Sequence, residues 1–170
     1  MRIIGLAGWS GAGKTTLLSR IIPRLVARGL SVSTVKHAHH DFDLDHPGKD
    51  SHTHRISGAT EVLVASGRRF ALIHELRDAP EPPLGVLLRK LSPVDLVLVE
   101  GYKRNAHPKL EVYREAVGKQ LIHPGDPAVV AVASDVALPQ ASVPVVALDD
   151  VDAIVEQLLR HAAPLQLVEL

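Results

Sequence analysis

The sequence contains no cysteine. Disulfides and thiolate metal centres are therefore excluded. Aromatic residues make up only 3% of the chain, so its core has to be built from Val, Leu, Ile and Ala. Charge of one sign is also missing: 19 Lys and Arg are matched by 19 Asp and Glu, without the basic excess of a general nucleic-acid binder. No apolar run approaches the roughly 20 residues of a membrane span. Neither a nucleic acid nor a membrane is an expected partner. The chain runs almost at once into an apolar strand, which leaves no room for a signal or transit peptide, so the expected location is the cytoplasm. What is present is a globular composition, 46% hydrophobic and 22% charged, of a length that suits one domain. We expect that domain over residues 1–162, with 163–170 as a loose tail.

The most informative segment is Gly8-Trp9-Ser10-Gly11-Ala12-Gly13-Lys14-Thr15. It matches G-x-x-x-x-G-K-[ST], the phosphate-binding P-loop. Arg2 to Ala7 before it reads as a short buried strand, and Thr16 to Arg28 after it as a helix closed by Gly29. That order is what the chemistry requires. Glycines let the backbone turn tightly with its N–H groups pointing inward, and the helix N-terminus adds partial positive charge. Ser10, Gly11, Ala12, Gly13, Lys14, Thr15 and Thr16 are thus the candidate phosphate-binding residues. Lys14 would reach the β- and γ-phosphates, and the Thr15 hydroxyl would ligate Mg²⁺.

Further along, strands and helices alternate, which predicts an α/β fold with a largely parallel sheet and helices on both faces. Strands are expected at Ser31–Val35, Glu61–Ala65, Phe70–His74, Val94–Val99, Ala128–Ala133 and Val143–Leu148. A short helix capped by Asp50 or Ser51 should run to about Ser57, and another should cover Leu84–Leu91. Val151, Ile154, Val155, Leu158 and Leu159 follow helical spacing, behind Asp149 or Asp150 as cap. Lys109 to Tyr113 alternates polar and apolar, which predicts a strand with one solvated face, at an edge or in a hairpin, and a candidate dimer surface.

Leu96-Val97-Leu98-Val99-Glu100 reads as a Walker B strand, which delivers its carboxylate to the C-terminal edge of the sheet beside the P-loop. Glu100 would then serve Mg²⁺ directly or through water. Most such strands end in Asp, so Glu is a departure. Asp41, Asp43 and Asp45 fall on one side of an extended segment after the second strand, within a His-rich stretch from His37 to His46. Three acids so placed repel unless a cation or basic ligand joins them. One of them would bind Mg²⁺ or orient an attacking water, with Asp41 the candidate metal ligand. Lys14, Asp41, Asp43 and Glu100 are accordingly the candidate catalytic residues. Lys49, Arg55, Lys103, Arg104, Lys109 and Arg114 would form a positive rim for phosphates. The guanine-reading motif N-K-x-D is absent, but Asp135 stands after a strand where a carboxylate would accept from guanine N1 and N2.

As an ordered set these residues resemble the MobB family, the molybdopterin-guanine dinucleotide biosynthesis adaptor proteins. The likeness rests on Gly8 to Thr16, on Thr34 to Asp43, on Pro47 to Ser51, on Leu98 to Lys103 and on Pro108 to Arg114, roughly residues 1–135. It implies a three-layer P-loop NTPase fold of the dethiobiotin-synthetase-like kind, with extra antiparallel strands. It implies a homodimer that binds GTP with Mg²⁺, hydrolyses it weakly, and assists the molybdenum cofactor guanylyltransferase that joins GMP to molybdopterin. Molybdopterin itself is a further expected ligand. Two other readings stay open on the residues alone: a metal-delivery GTPase of the nickel-insertion type, which the histidines favour, and an ATP-dependent small-molecule kinase or ligase.

Overall fold

A computed structural model describes residues 1–38 and 42–167. The chain divides into two compact units, one made of Met1–His37 with Leu84–Leu170 and one of Ala38–Pro83, where the sequence reading expects a single domain.

The first unit is built on a seven-stranded sheet. Its strands are β1 (Arg2–Ala7), β2 (Val32–Lys36), β5 (Leu96–Glu100), β6 (Lys109–Tyr113), β7 (Val129–Ser134), β8 (Val145–Ala147) and β9 (Ala163–Pro164). The order is β2-β5-β1-β6-β7-β8, with every neighbouring pair parallel. All six therefore send their C-terminal ends to one edge, where the loops that carry the motifs begin. β9 pairs antiparallel with Arg2 and Ile3, on the stretch of β1 that precedes its pairing with β6. The expected loose tail is thus tied down at its start by ladder bonds, and Leu165 N–H donates to the Met1 carbonyl at 3.1 Å.

Period-two alternation sorts the strand side chains onto two helical layers. Ile4, Leu6, Leu96, Leu98, Leu110 and Val112 pack with Leu17, Ile21 and Leu25 of α1 (Lys14–Ala27) and with Ile154, Val155 and Leu158 of α4 (Val151–His161). Ile3, Val97 and Val99 on the other face pack with Leu84 and Leu88 of α3 (Leu84–Leu88). Helices on both faces of a parallel sheet make the three-layer P-loop NTPase fold. Of the two candidate caps for α4, Asp150 holds the position, its carboxylate accepting from Ala153 N–H at 2.9 Å.

β6 departs from the sequence reading. It is an interior strand, flanked by β1 and β7, and is neither an edge nor half of a hairpin. Its polar residues are inside: Lys109 is 2% exposed and Glu111 is fully buried. The alternation was real, but the polar positions are satisfied by protein instead of water. Lys109 Nζ donates to the carbonyls of Lys103 and Asn105 at 2.9 and 2.6 Å and pairs with Asp126 at 2.8 Å. Glu111 accepts the backbone N–H groups of Ile122 and His123 at 2.7 and 2.9 Å. β6 therefore offers no dimer surface, and Lys109 no rim charge.

The second unit holds α2 (Asp50–Ile56) and an antiparallel hairpin, β3 (Glu61–Ala65) with β4 (Phe70–His74), which accounts for the extra antiparallel strands. Neither expected residue caps α2 by its side chain: the N-cap is Lys49, and Ser51 Oγ donates instead to Asp45 at 2.8 Å.

Candidate functional site

The site lies at the C-terminal edge of the parallel sheet in the first unit. β1 ends at Ala7, and the chain turns through residues 8–13 into α1. Gly8 sits at φ 147°, and a Cβ there would stand 2.6 Å from the Val112 carbonyl of β6, so only glycine lets the loop leave the sheet this closely. The loop is braced internally, with Ala12 N–H donating to the Trp9 carbonyl at 3.1 Å. The Lys14 ammonium folds back onto it, donating to the Gly8 and Trp9 carbonyls at 2.9 and 3.1 Å. Burial lowers the Lys14 pKa; Glu100 opposes that shift, and Lys103 and Lys36 reinforce it. A depressed lysine among further cations marks a place short of negative charge.

β5 places Glu100 where the motif required. It is a nearly buried carboxylate at the strand end, in register with Leu6 on one side and Lys36 on the other. The Thr15 hydroxyl donates to Glu100 Oε1 at 3.1 Å. A hydroxyl at the start of a P-loop helix, touching a carboxylate from the adjacent strand, is a pair of hard oxygen donors of the kind that would hold Mg²⁺. The residues present fit that ion. Among the described residues no group of three or more His, Asp or Glu side chains is arranged to hold a metal.

Asp135 follows β7, two strands from the P-loop. Its Oδ1 accepts from Glu115 N–H at 3.0 Å, and its Oδ2 lies 3.9 Å from Arg114 Nη1. Arg114 in turn lies against the P-loop: its Nε would be 3.3 Å from a Cβ on Gly13. A pocket of about 250 Å³ opens here, lined by Arg20, Arg114, Ser134, Asp135, Leu148 and Asp149 among others. Register explains the grouping, since Tyr113 pairs with Ser134 and sets their successors side by side.

The acidic loop behaves differently. Asp41 lies outside the described residues. Asp43 and Asp45 belong to the second unit, where Arg55 supplies the cation that the three-acid pattern demanded. Its guanidinium donates to both oxygens of Asp43 at 2.9 and 2.7 Å, reaches Glu75 at 2.8 Å and lies 3.8 Å from Asp45. The Asp45 N–H bond and the Arg55 bonds lower the Asp43 pKa. A carboxylate held this way is a weak base, and its visible work is to clamp the loop to α2. Arg55 is likewise spent on carboxylates and leaves the phosphate rim.

Two contacts had no sequence signal. The Trp9 indole N–H donates to the Gln120 carbonyl at 2.8 Å, and the Lys103 ammonium stands 4.6 Å from the centre of the Trp9 ring. Position 9 is a free position of the P-loop pattern, and Gln120 is 111 residues away. Only the choice of Lys103 and Arg114 as rim cations pointed toward this side of the loop.

The family model described as molybdopterin guanine dinucleotide synthesis protein B, MobB, matches residues 3–135. The chain belongs to the MobB family. It is 42% identical over 159 residues to the molybdopterin-guanine dinucleotide biosynthesis adapter protein of Escherichia coli (strain K12), covering 91% of this chain and 89% of that protein. It is 40% identical over 122 residues to the protein of the same name from Haemophilus influenzae, covering 70% and 67%. A MobB homologue from Bacillus stearothermophilus, solved by X-ray crystallography, superposes with a TM-score of 0.68 at 26% identity, over 93% of this chain and 95% of that one. The MobB match takes in the P-loop, Glu100, the segment from Lys109 to Arg114 and Asp135, and it stops just after β7.

Proposed function

We propose that this MobB-family chain is a GTP-binding adaptor in the biosynthesis of the molybdopterin guanine dinucleotide cofactor, with weak GTPase activity of its own. The observation that carries the reading is the Thr15–Glu100 contact beside a P-loop whose lysine folds back onto the Gly8 and Trp9 carbonyls. Lys14 and the backbone of Gly11 to Thr16 bind the phosphates; Thr15 and Glu100 hold Mg²⁺. The ion they would hold supplies positive charge that offsets the phosphates. Asp135, oriented by Glu115 N–H, accepts from the guanine edge in the adjoining pocket. Glu100, nearly buried, would orient the attacking water. Turnover by the chain alone is slow in this reading, because the sequence assigns no arginine finger.

The partner in this reading is the molybdenum cofactor guanylyltransferase, with molybdopterin as the shared ligand, in the cytoplasm. The chain acts as a homodimer through its hairpin. Leu63, Leu72 and Phe70 share one face of β3–β4, as their register shows, and Phe70 is 75% exposed. A two-stranded sheet is marginal by itself, and an exposed apolar face of this kind marks an interaction surface. A second copy presents the same face and covers it. The test mixes the purified chain with the guanylyltransferase, molybdopterin and Mg·GTP, and follows attachment of GMP. The adaptor should raise the yield, and Lys14→Ala should not. Equal stimulation by Lys14→Ala would reject a nucleotide-dependent adaptor role.

A further inference from the structure

Lys103 is built into the site more firmly than its sequence position suggests. It lies in the turn after β5, where its N–H donates to the Gly101 carbonyl at 2.7 Å. Its own carbonyl is held by the buried Lys109 ammonium at 2.9 Å. The main chain is thus fixed, while the side chain extends to the P-loop and rests on Trp9 at 4.6 Å. Trp9 is itself anchored through its indole N–H to Gln120, and its carbonyl receives the Lys14 ammonium at 3.1 Å. Two ammonium groups therefore flank a single P-loop residue. The other cations at this edge are differently placed: Arg114 faces the Asp135 carboxylate, and Lys36 stands in register with Glu100.

A cation over a partly exposed indole is held only by roughly a few-fold in equilibrium terms. A charge-assisted hydrogen bond to a phosphate oxygen favours the bound state by roughly tenfold or more. The ring is thus a resting place that an anion readily empties.

We propose that Lys103 is a second phosphate-binding cation of this site, stored over the Trp9 indole and transferred to the terminal phosphate of a bound nucleoside triphosphate. This rests on the reading that the loop binds such a nucleotide. It makes the chain itself sensitive to the γ-phosphate, since a diphosphate leaves Lys103 on the ring. It also makes Trp9, the only tryptophan, a built-in reporter of that movement.

The experiment titrates the full-length chain with Mg·GTP and Mg·GDP by calorimetry, and records Trp9 emission in parallel. The variants are Lys103→Met, Lys103→Arg, Lys36→Met and Lys14→Ala. Lys103→Met should weaken GTP roughly tenfold or more and leave GDP unchanged. GTP should change Trp9 emission in the unmodified chain, GDP should not, and Lys103→Met should lose the change while still binding GTP at higher concentration. Lys103→Arg should restore the preference for GTP. Equal losses for GTP and GDP, a retained emission change in Lys103→Met, or a γ-phosphate preference that depends on Lys36 instead would overturn the proposal. If Lys14→Ala abolishes binding but Lys103→Met has no effect, this inference alone fails. If the unmodified chain binds neither nucleotide, the nucleotide reading fails with it.

Discussion

The two units of this chain invert one another. In the first, charged side chains are inside: Glu100, Lys109 and Glu111 are buried in or at the ends of parallel strands, with His107 beside them. In the second, apolar side chains are outside. Eight of the eleven large exposed hydrophobic residues among those described fall between Phe42 and Leu76, and Val62 is the buried one there. A parallel sheet with helices on both faces has apolar surface to spare, so it can hold buried charge where partners are exact in geometry. The two-stranded hairpin has the seven-residue α2 beside β3, and an ion-pair cluster around Arg55 ties α2 to Glu75 after the hairpin. Buried charge in the first unit shapes loops around the P-loop; exposed apolar surface in the second is the face that the proposed homodimer would cover.

The contrast is broken most forcefully at Lys109. Lys109→Met leaves Asp126 and two carbonyls without their cation, and should cost about 3–5 kcal/mol in urea unfolding. A cost near zero would show that the interior of β6 does not depend on its charge. His107 comes next. Burial lowers its pKa from 6.5 to about 4, with Lys109 reinforcing the shift. The native ring thus stays neutral while the unfolded chain takes up a proton below 6.5. Stability is then complete above pH 6.5 and falls progressively as pH drops to about 4, by about 3 kcal/mol over that window. His107→Gln should flatten that part of the stability–pH profile, and an unchanged profile would reject the assignment. Gly5 belongs to the same packing, since a Cβ on it would come 2.4 Å from His107 Nε2.

The second unit should respond more locally. Arg55→Ala removes the shared cation of Asp43, Asp45 and Glu75. The Asp43 carboxyl should rise toward the ordinary range in an NMR titration, and amide exchange should quicken over residues 42–56 while the seven-stranded sheet is unaffected. Spread of the effect into the sheet would mean the two units are energetically one. The smallest effect on stability is expected on the hairpin. Phe70→Ser should change unfolding free energy by no more than about 0.5 kcal/mol, yet shift sedimentation from dimer to monomer. An unchanged dimer would move the interface elsewhere.

Local signals carried most of the fold. The P-loop, the strand before it, the helix after it and the Walker B carboxylate are each written within a few adjacent residues, and each is found where expected. What escaped depends on partners distant in the chain. Alternation in Lys109 to Tyr113 cannot distinguish water from Asp126 as the partner of a lysine. The acidic run announced a need for a cation without showing that Arg55 meets it. Asp149 and Asp150 were equivalent until the helix start chose Asp150.

The most direct test of the central claim is calorimetric titration with GTP and with ATP in the presence of Mg²⁺, using Lys14→Ala as control. The account predicts tighter binding of GTP, abolished in Lys14→Ala and reduced toward the ATP value by Asp135→Asn. Equal or tighter binding of ATP would contradict it.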